Sequence, residues 1–159
     1  MVDVGDKAPD FTLVGWHNGE TQEYTLSDYT ATGAVILGVY VFDFSPVCTA
    51  QMCQTGDMNW YQYKKDLSLF GLSRDGPYSH EKFSQQEGIE YPLLSDVSGE
   101  VLDAYDLLIP EVDGIREVPR RALLLIDSER TIRYFWRAAD NWDTHDYGLN
   151  PVREAIKAL

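Results

Sequence analysis

The chain has few basic residues for its length, and this shortage excludes one class of partner. Its 159 residues include 13 lysines and arginines against 26 aspartates and glutamates, which gives a net charge of −13. Nucleic-acid binding requires clustered lysine and arginine side chains that contact phosphates. We therefore expect no nucleic-acid partner. The acidic surface leaves two interpretations open: adaptation to a salt-rich cytoplasm, or an ordinary acidic protein.

Long apolar runs are also missing. No stretch approaches the roughly 20 apolar residues that a membrane-spanning helix needs, and the opening MVDVGDKAPDF lacks the basic-then-apolar order of a signal peptide. We therefore expect a cytoplasmic protein with no membrane contact. Hydrophobic residues make up 44% of the chain, enough for a folded core. We expect residues 1–159 to form a single domain.

Cysteine is scarce, since only Cys48 and Cys53 are present. Two cysteines in a reducing compartment are more often catalytic or redox-active than structural, although both can also serve as small buried hydrophobic residues. The histidines, His17, His80 and His145, are scattered, and no pair has metal-ligand spacing. The sequence thus predicts neither a metal nor another cofactor.

Both cysteines follow a continuous apolar run, residues 34–42. Its lack of alternation predicts a strand that is covered on both faces. Ser45 is a favourable N-cap and Pro46 suits the first helical position, so we expect a helix that continues through Lys64. Cys48 then lies in the first turn, where the partial positive charge of the helix terminus favours the thiolate, the reactive form of cysteine.

Strands and helices alternate along the rest of the chain, and this predicts an α/β fold with a central mixed sheet flanked by helices. The order of a strand, a cysteine-bearing turn, a helix, a late hairpin and a C-terminal helix is the thioredoxin-like order. The further predicted elements are a strand at 68–73, a helix at 79–86 capped by Ser79, a loop at 110–119, a hairpin of strands 122–126 and 131–136, and a helix at 152–159 capped by Asn150.

Several motifs, taken in order, resemble the peroxiredoxin family, in particular the group of bacterioferritin comigratory proteins. They are VGDKAPDFTL at 4–13, SPVCTAQMC at 45–53, GLSRD at 71–75 followed by SH at 79–80 and Phe83, YPLLSD at 91–96, and RALLLID at 121–127. The resemblance implies a thioredoxin-like fold and a thiol-dependent peroxidase that reduces hydrogen peroxide and organic hydroperoxides. It also implies recycling by thioredoxin or a similar dithiol protein, with the chain as a monomer or homodimer.

The resemblance also implies a role for each matching residue. Cys48 is the peroxidatic cysteine, and Cys53 is the resolving cysteine that converts its sulfenic acid into an intrachain disulfide. Ser45 stands where the family has a threonine whose hydroxyl bonds the thiolate and the peroxide. Arg121 matches the arginine that stabilises the thiolate and polarises the peroxide. The backbone N–H of Cys48 is a second candidate donor to the peroxide.

The chain departs from the family pattern at two positions next to these residues. Val41 replaces the proline that shields the thiolate, and Val47 replaces a glycine beside the cysteine. Both substitutions bear on the rate of the reaction more than on its type.

Other functions stay open from the sequence. Cys53 can be idle in a one-cysteine peroxidase, and Arg121 can simply pair with a surface carboxylate. A thioredoxin-like thiol–disulfide oxidoreductase is an alternative, although the spacing of the cysteines is C-x-x-x-x-C and not C-x-x-C. A redox-sensing module, in which oxidation reshapes an interface, is another.

The spacing of the cysteines makes a conformational prediction. Five residues apart on an intact helix, their Cα atoms lie about 8 Å apart and their side chains project about 140° apart. A disulfide rarely tolerates more than about 7 Å between Cα atoms. We therefore expect the first turn of this helix to unwind before Cys53 attacks Cys48, and Gly56 to ease that melting.

Overall fold

The computed structural model of the protein describes residues 2–58, 60, 66–142 and 147–159. These residues form nine strands and five helices. The strands are β1 (Thr12–His17), β2 (Glu20–Thr25), β3 (Ala34–Val39), β4 (Leu67–Ser73), β5 (Leu93–Ser95), β6 (Leu108–Val112), β7 (Ile115–Pro119), β8 (Ala122–Ile126) and β9 (Ile132–Arg137). The helices are α1 (Leu26–Thr30), α2 (Pro46–Asp57), α3 (Pro77–Glu87), α4 (Glu100–Ala104) and α5 (Leu149–Lys157).

Seven of the strands form one mixed sheet in the order β2-β1-β5-β4-β3-β8-β9. Strands β3, β4 and β5 run parallel, whereas β8 pairs antiparallel with β3 and forms the expected hairpin with β9. The sheet thus confirms the α/β, thioredoxin-like architecture that the sequence predicted. Because β3 lies between β4 and β8, the segment that follows it leaves from the middle of the sheet.

Strand β3 is buried at every position, as its unbroken apolar sequence predicted. Val35, Leu37 and Val39 pack on one face with α1 and α4. Ala34 and Ile36 pack on the other face with α5. The ladder ends at Val39, and the next residues, Tyr40 and Val41, stay fully buried in a third cluster with Cys48 and helix α3. The site is therefore built where the central strand gives way to α2.

Helix α2 begins as predicted, with Ser45 as N-cap and Pro46 in the first turn, but the predicted end was wrong. The helix stops at Asp57 because the backbone of Met58 is extended. Trp60 lies outside it and its indole N–H donates to the Thr55 carbonyl, 3.0 Å away. The predicted continuation through Lys64 falls outside the described residues.

Three other local predictions need correction. Helix α3 begins at Pro77 with Gly76, and not Ser79, as its N-cap. Helix α5 is capped by Gly148 in the left-handed conformation, and not by Asn150; the Trp136 ring leaves no room for a Cβ at this glycine. The predicted loop at 110–119 is the larger part of the β6–β7 hairpin. In the two helices a glycine is the N-cap in place of the predicted polar residue, and in the third case strand pairing replaces the predicted loop.

Candidate active site

Cys48 lies in the first turn of α2 and is fully buried. Its backbone N–H donates to the Ser45 hydroxyl oxygen at 3.3 Å, and the Thr49 N–H donates to the Ser45 carbonyl at 2.8 Å. Ser45 thus holds this turn as a helix cap. The Cys48 N–H, which the sequence offered as a donor for the peroxide, is occupied by this cap.

Two donors face the sulfur of Cys48. The Phe42 N–H lies 3.4 Å from Sγ and the Arg121 guanidinium Nη2 lies 3.2 Å from it. One donor comes from the segment that follows β3 and the other from the residue that precedes β8. The sulfur thus lies within reach of one backbone donor and one buried cationic side chain.

Arg121 is fully buried, and its guanidinium is fixed from two more sides. Its Nη1 donates to Gln51 Oε1 at 2.6 Å, and its Nε donates to the Asn141 carbonyl at 3.1 Å. Gln51 is itself held by a bond from its Nε2 to the Val39 carbonyl at 3.1 Å. The planar fork of the guanidinium therefore has a single orientation, with Nη2 aimed at Cys48. Pairing with a surface carboxylate does not account for so buried a side chain.

Cys53 stands apart from this cluster, one and a half turns further along α2. It is partly exposed, and its thiol lies 3.9 Å from Glu87 Oε2 of α3. Burial, followed by the negative charges of Glu87 and Asp57, raises the pKa of the Cys53 thiol. Both cysteines are free in this structure, and the continuous helix between them keeps them in the separated arrangement that the spacing predicted.

The sequence of this chain matches a known protein family. The sequence profile of the AhpC/TSA family matches residues 4–135, which is most of the chain. The chain belongs to the AhpC/TSA family. It is a peroxiredoxin of the bacterioferritin comigratory protein group, and its activity is that of a thiol-dependent peroxidase.

Similar proteins are named as peroxiredoxins. The chain is 34% identical over 165 aligned positions to the chloroplastic 2-cysteine peroxiredoxin of Chattonella marina var. antiqua, covering 98% of this chain and 78% of that protein. It is 31% identical to peroxiredoxin Bcp of Bacillus subtilis, covering 86% of this chain and 85% of the relative. It spans only 64% of the barley protein 2-Cys peroxiredoxin BAS1, chloroplastic, at 32% identity.

Solved structures show the same fold at lower identity. Peroxidoxin BcpB from Mycobacterium tuberculosis superposes with a TM-score of 0.81 at 24% identity, covering 100% of this chain and 99% of that one. A cysteine-to-serine variant of PrxQ from Xylella fastidiosa gives a TM-score of 0.82 at 22% identity, covering 99% and 97%. These likenesses confirm the predicted thioredoxin-like fold of this peroxiredoxin.

The structure brings Cys48, Ser45 and Arg121 together as predicted, but the hydrogen bonds at Cys48 differ from those predicted. Ser45 bonds the backbone of Cys48, and the donor to the sulfur from the preceding segment is the Phe42 N–H. Val41 is fully buried in the cluster that holds Cys48, and Val47 is partly buried against the α5 cluster. Val41 therefore belongs to the apolar cluster that surrounds the cysteine.

Sequence reasoning missed two groups of residues in this peroxiredoxin. Gln51 and Asn141 orient Arg121, and no motif marked them; only the helical spacing of Gln51 from Cys48 hinted at a shared face. His80 was interpreted as a residue at the start of a helix. It is fully buried and bonded to Asp43 and Tyr40 next to the segment that precedes Cys48.

No group of three or more metal-binding side chains occurs among the residues that the structure describes; His145 lies outside them. Within the same residues, no helix has the length and apolar character required to cross a bilayer.

Proposed function

We propose that this peroxiredoxin reduces hydrogen peroxide and organic hydroperoxides with Cys48 as its peroxidatic residue, and that Cys53 resolves the oxidised form. The single observation that carries this proposal is the Arg121 guanidinium, fully buried and 3.2 Å from the Cys48 sulfur. A buried cation without an anion is costly, and a thiolate at this distance compensates it.

The first step is attack of the Cys48 thiolate on one oxygen of the hydroperoxide. An S–O bond forms and the O–O bond breaks, so the sulfur is oxidised by two electrons to a sulfenic acid and the other oxygen leaves as water or an alcohol after gaining a proton. Negative charge develops on the leaving oxygen. The Arg121 guanidinium is the fixed donor near this position, since its orientation is set by Gln51 and Asn141.

The second step is attack of the Cys53 sulfur, as its thiolate, on the sulfur of the Cys48 sulfenic acid. An S–S bond forms, the S–O bond breaks, and the hydroxyl leaves as water with the proton that Cys53 released. The peroxiredoxin then carries an intrachain disulfide, which thioredoxin or a similar dithiol protein reduces by thiol–disulfide exchange. A cytoplasmic location and a monomeric or homodimeric state stay predictions from the sequence.

Intact-mass spectrometry after one equivalent of hydrogen peroxide tests these assignments on the reduced protein and on the single variants Cys48→Ser and Cys53→Ser. We expect rapid loss of two hydrogen atoms in the wild type, because the disulfide forms. We expect a gain of one oxygen atom in Cys53→Ser, because the sulfenic acid has no resolving thiol. Cys48→Ser should not react on this time scale.

Each other outcome contradicts one part of the proposal. A persistent added oxygen in the wild type removes the resolving role of Cys53. Fast oxidation of Cys48→Ser transfers the peroxidatic role away from Cys48. Absence of fast oxidation in the wild type would contradict the peroxidatic role of Cys48.

A further inference from the structure

A buried polar cluster lies directly beside the segment that supplies a donor to Cys48. It consists of Tyr40, Asp43, Ser73, Asp75 and His80. Its side chains come from the end of β3, the end of β4 and helix α3, and the chemistry proposed above does not use them. Tyr40 and His80 are fully buried, and Asp43 is 8% exposed.

Every partner of the His80 ring presents an acceptor. Nδ1 lies 2.8 Å from Asp43 Oδ2 and 3.2 Å from the Tyr40 hydroxyl oxygen, whose own proton goes to Asp43 Oδ1 at 2.6 Å. Nε2 lies 3.0 Å from the Leu94 carbonyl oxygen. A neutral imidazole has only one N–H and leaves one of these contacts without a proton. A ring with a hydrogen on each nitrogen satisfies all of these contacts.

Acidic groups surround the pair. The groups that face His80 are Asp43 and Tyr40 from the segment after β3, Asp75 from the segment after β4 and the Leu94 carbonyl from β5. Burial, followed by the charge of Asp43, raises the pKa of Asp75 and raises that of Tyr40 well above its ordinary value. The Tyr40 hydroxyl therefore keeps its proton, and His80 is the basic side chain of an otherwise acidic cluster.

Asp43 connects this cluster to the reactive sulfur. Its carboxylate is held by His80 and Tyr40, and its backbone N–H donates to Asp75 Oδ2 at 2.9 Å. The preceding residue is Phe42, whose N–H points at Cys48 Sγ. Tyr40 is held as well, by its hydroxyl on Asp43 and by its backbone N–H on the Leu72 carbonyl, so the peptide that carries the Phe42 N–H lies between two anchored residues.

We propose that His80 is a positioning residue for peroxide reduction: as an imidazolium it holds Asp43, and through Asp43 it holds the Phe42 N–H against the Cys48 sulfur. The inference rests on the proposed role of Cys48. His80 touches neither the sulfur nor the space where a peroxide reacts, so its effect is indirect. Loss of its charge would leave Asp43 and Asp75 uncompensated beside the thiolate, and would free the Phe42 N–H to turn away.

The test compares two substitutions of His80 in a Cys53→Ser background, where Cys48 is the remaining cysteine. Asparagine places an amide N–H near the position of Nδ1, facing Asp43. Glutamine places one near the position of Nε2, facing Leu94. The matched control is His17→Gln, since His17 Nε2 also bonds a backbone carbonyl, that of Glu90 at 2.9 Å, in the segment between α3 and β5.

Two readouts are required: the second-order rate with hydrogen peroxide, and the pH at the midpoint of the iodoacetamide alkylation rate. We expect His80→Gln to lower the peroxide rate about tenfold or more and to move the alkylation midpoint to higher pH, because a preorganised donor and a nearby positive charge are lost. His80→Asn should show a smaller effect in both, and His17→Gln should show neither.

The last variants are Asp43→Asn alone and the double variant of Asp43→Asn with His80→Gln. Because His80 acts through Asp43, the double variant should be no slower than the slower single variant. An unchanged rate and an unchanged alkylation midpoint in His80→Gln would overturn the inference even if its melting temperature falls, since a merely structural role lowers stability alone. Fully additive losses in the double variant would also overturn it.

Tyr40→Phe keeps the inference testable if His80→Gln does not fold. It removes only the hydroxyl that donates to Asp43 Oδ1, and it should move the alkylation midpoint in the same direction by a smaller amount; no movement overturns the inference. Alkylation needs no peroxide, so its result stands apart from the proposed function. A wild type that does not react with peroxide contradicts the function, whereas an unchanged midpoint contradicts the role of His80.

Discussion

Cys48 and Cys53 belong to one helix but lie in opposite electrostatic surroundings. The sulfur of Cys48 faces a guanidinium and a backbone N–H. The thiol of Cys53 faces Glu87, with Asp57 nearby, and its pKa is raised by burial and by these two charges. Cys53 therefore stays a thiol at neutral pH in the folded helix. A thiol is a poor nucleophile, so this environment lowers the reactivity of Cys53, the proposed resolving residue, in the folded helix.

The contribution of Glu87 can be measured in a Cys48→Ser background, where Cys53 is the remaining cysteine. Glu87→Gln removes one negative charge from beside the thiol, which favours the thiolate and lowers the pKa of Cys53. We expect the alkylation rate at pH 8 to rise by roughly two- to fivefold, which corresponds to a shift of about half a pKa unit. The measurement is the iodoacetamide rate between pH 7 and pH 10.

Glu81→Gln is the matched control for this experiment, since Glu81 lies on the same helix α3, close to its N-terminus. It should leave the alkylation rate of Cys53 unchanged. An equal rise in both variants would show that the effect comes from total charge, and a flat response in Glu87→Gln would remove this carboxylate from the environment of Cys53.

Residues with a local signature were predictable from the sequence, and residues defined by long-range contact were not. Ser45, Pro46 and Cys48 follow helix-start chemistry, which needs only neighbouring positions. Arg121 was found through the family motif. Asn141 bonds Arg121 across 20 positions and His80 bonds Asp43 across 37. Such partners are set by the folded sheet, and no spacing rule in the sequence reveals them.

Secondary-structure elements divide in the same way: those with a local sequence pattern were predictable, and those defined by distant partners were not. The buried strand β3 and the β8–β9 hairpin were predicted because burial on both faces and a short turn leave clear patterns. Strand β5 has three residues, Leu93–Ser95, and pairs with β1 and β4. Its strand character comes from these distant partners, so the sequence showed only a short apolar loop.

The first turn of α2 combines a stabilising cap with a strained entry. Ser45 caps the helix, but the residue before it, Phe44, has φ at +71°, a left-handed conformation that costs a bulky side chain about 1–3 kcal/mol. Gly56, which the sequence predicts to ease melting, also accommodates the Tyr91 ring, where a Cβ would lie 3.1 Å from Cε1. The weak point of the helix is therefore its entry at Phe44.

We expect disulfide formation to unwind this first turn. In hydrogen exchange with mass spectrometry, residues 46–49 should lose protection in the peroxide-treated wild type, because the helical positions of Cys48 and Cys53 do not permit an S–S bond. Strand β8, which is buried at every position, should keep its protection.

Cys53→Ser provides the control for this prediction, since it reaches the sulfenic acid but not the disulfide. Its first turn should keep the protection of the reduced protein after the same treatment. Equal protection of residues 46–49 in the reduced and disulfide forms of the wild type would contradict the unwinding.

At the scale of the whole molecule, the excess of acidic residues produces a repulsion that no local contact removes. With 26 acidic and 13 basic residues, at least half of the carboxylates have no basic side chain to pair with. Several of the described ion pairs are long and partly exposed, such as Arg74–Glu117 at 3.8 Å and Arg137–Asp3 at 3.9 Å, and pairs of this kind add little stability. Repulsion among the remaining charges destabilises the compact state.

Salt should therefore stabilise the protein. The screening length falls from about 30 Å at 0.01 M to about 3 Å at 1 M ionic strength, so we expect the melting temperature to rise with sodium chloride. A matched variant separates screening from other effects of salt: Glu20→Lys with Glu23→Lys on the exposed strand β2 changes the net charge from −13 to −9, since each reversal adds two. Its melting temperature should depend less on salt.

Loss of folding at low salt in the wild type would favour adaptation to a salt-rich cytoplasm over an ordinary acidic protein. A melting temperature of the wild type that is independent of salt would contradict that adaptation.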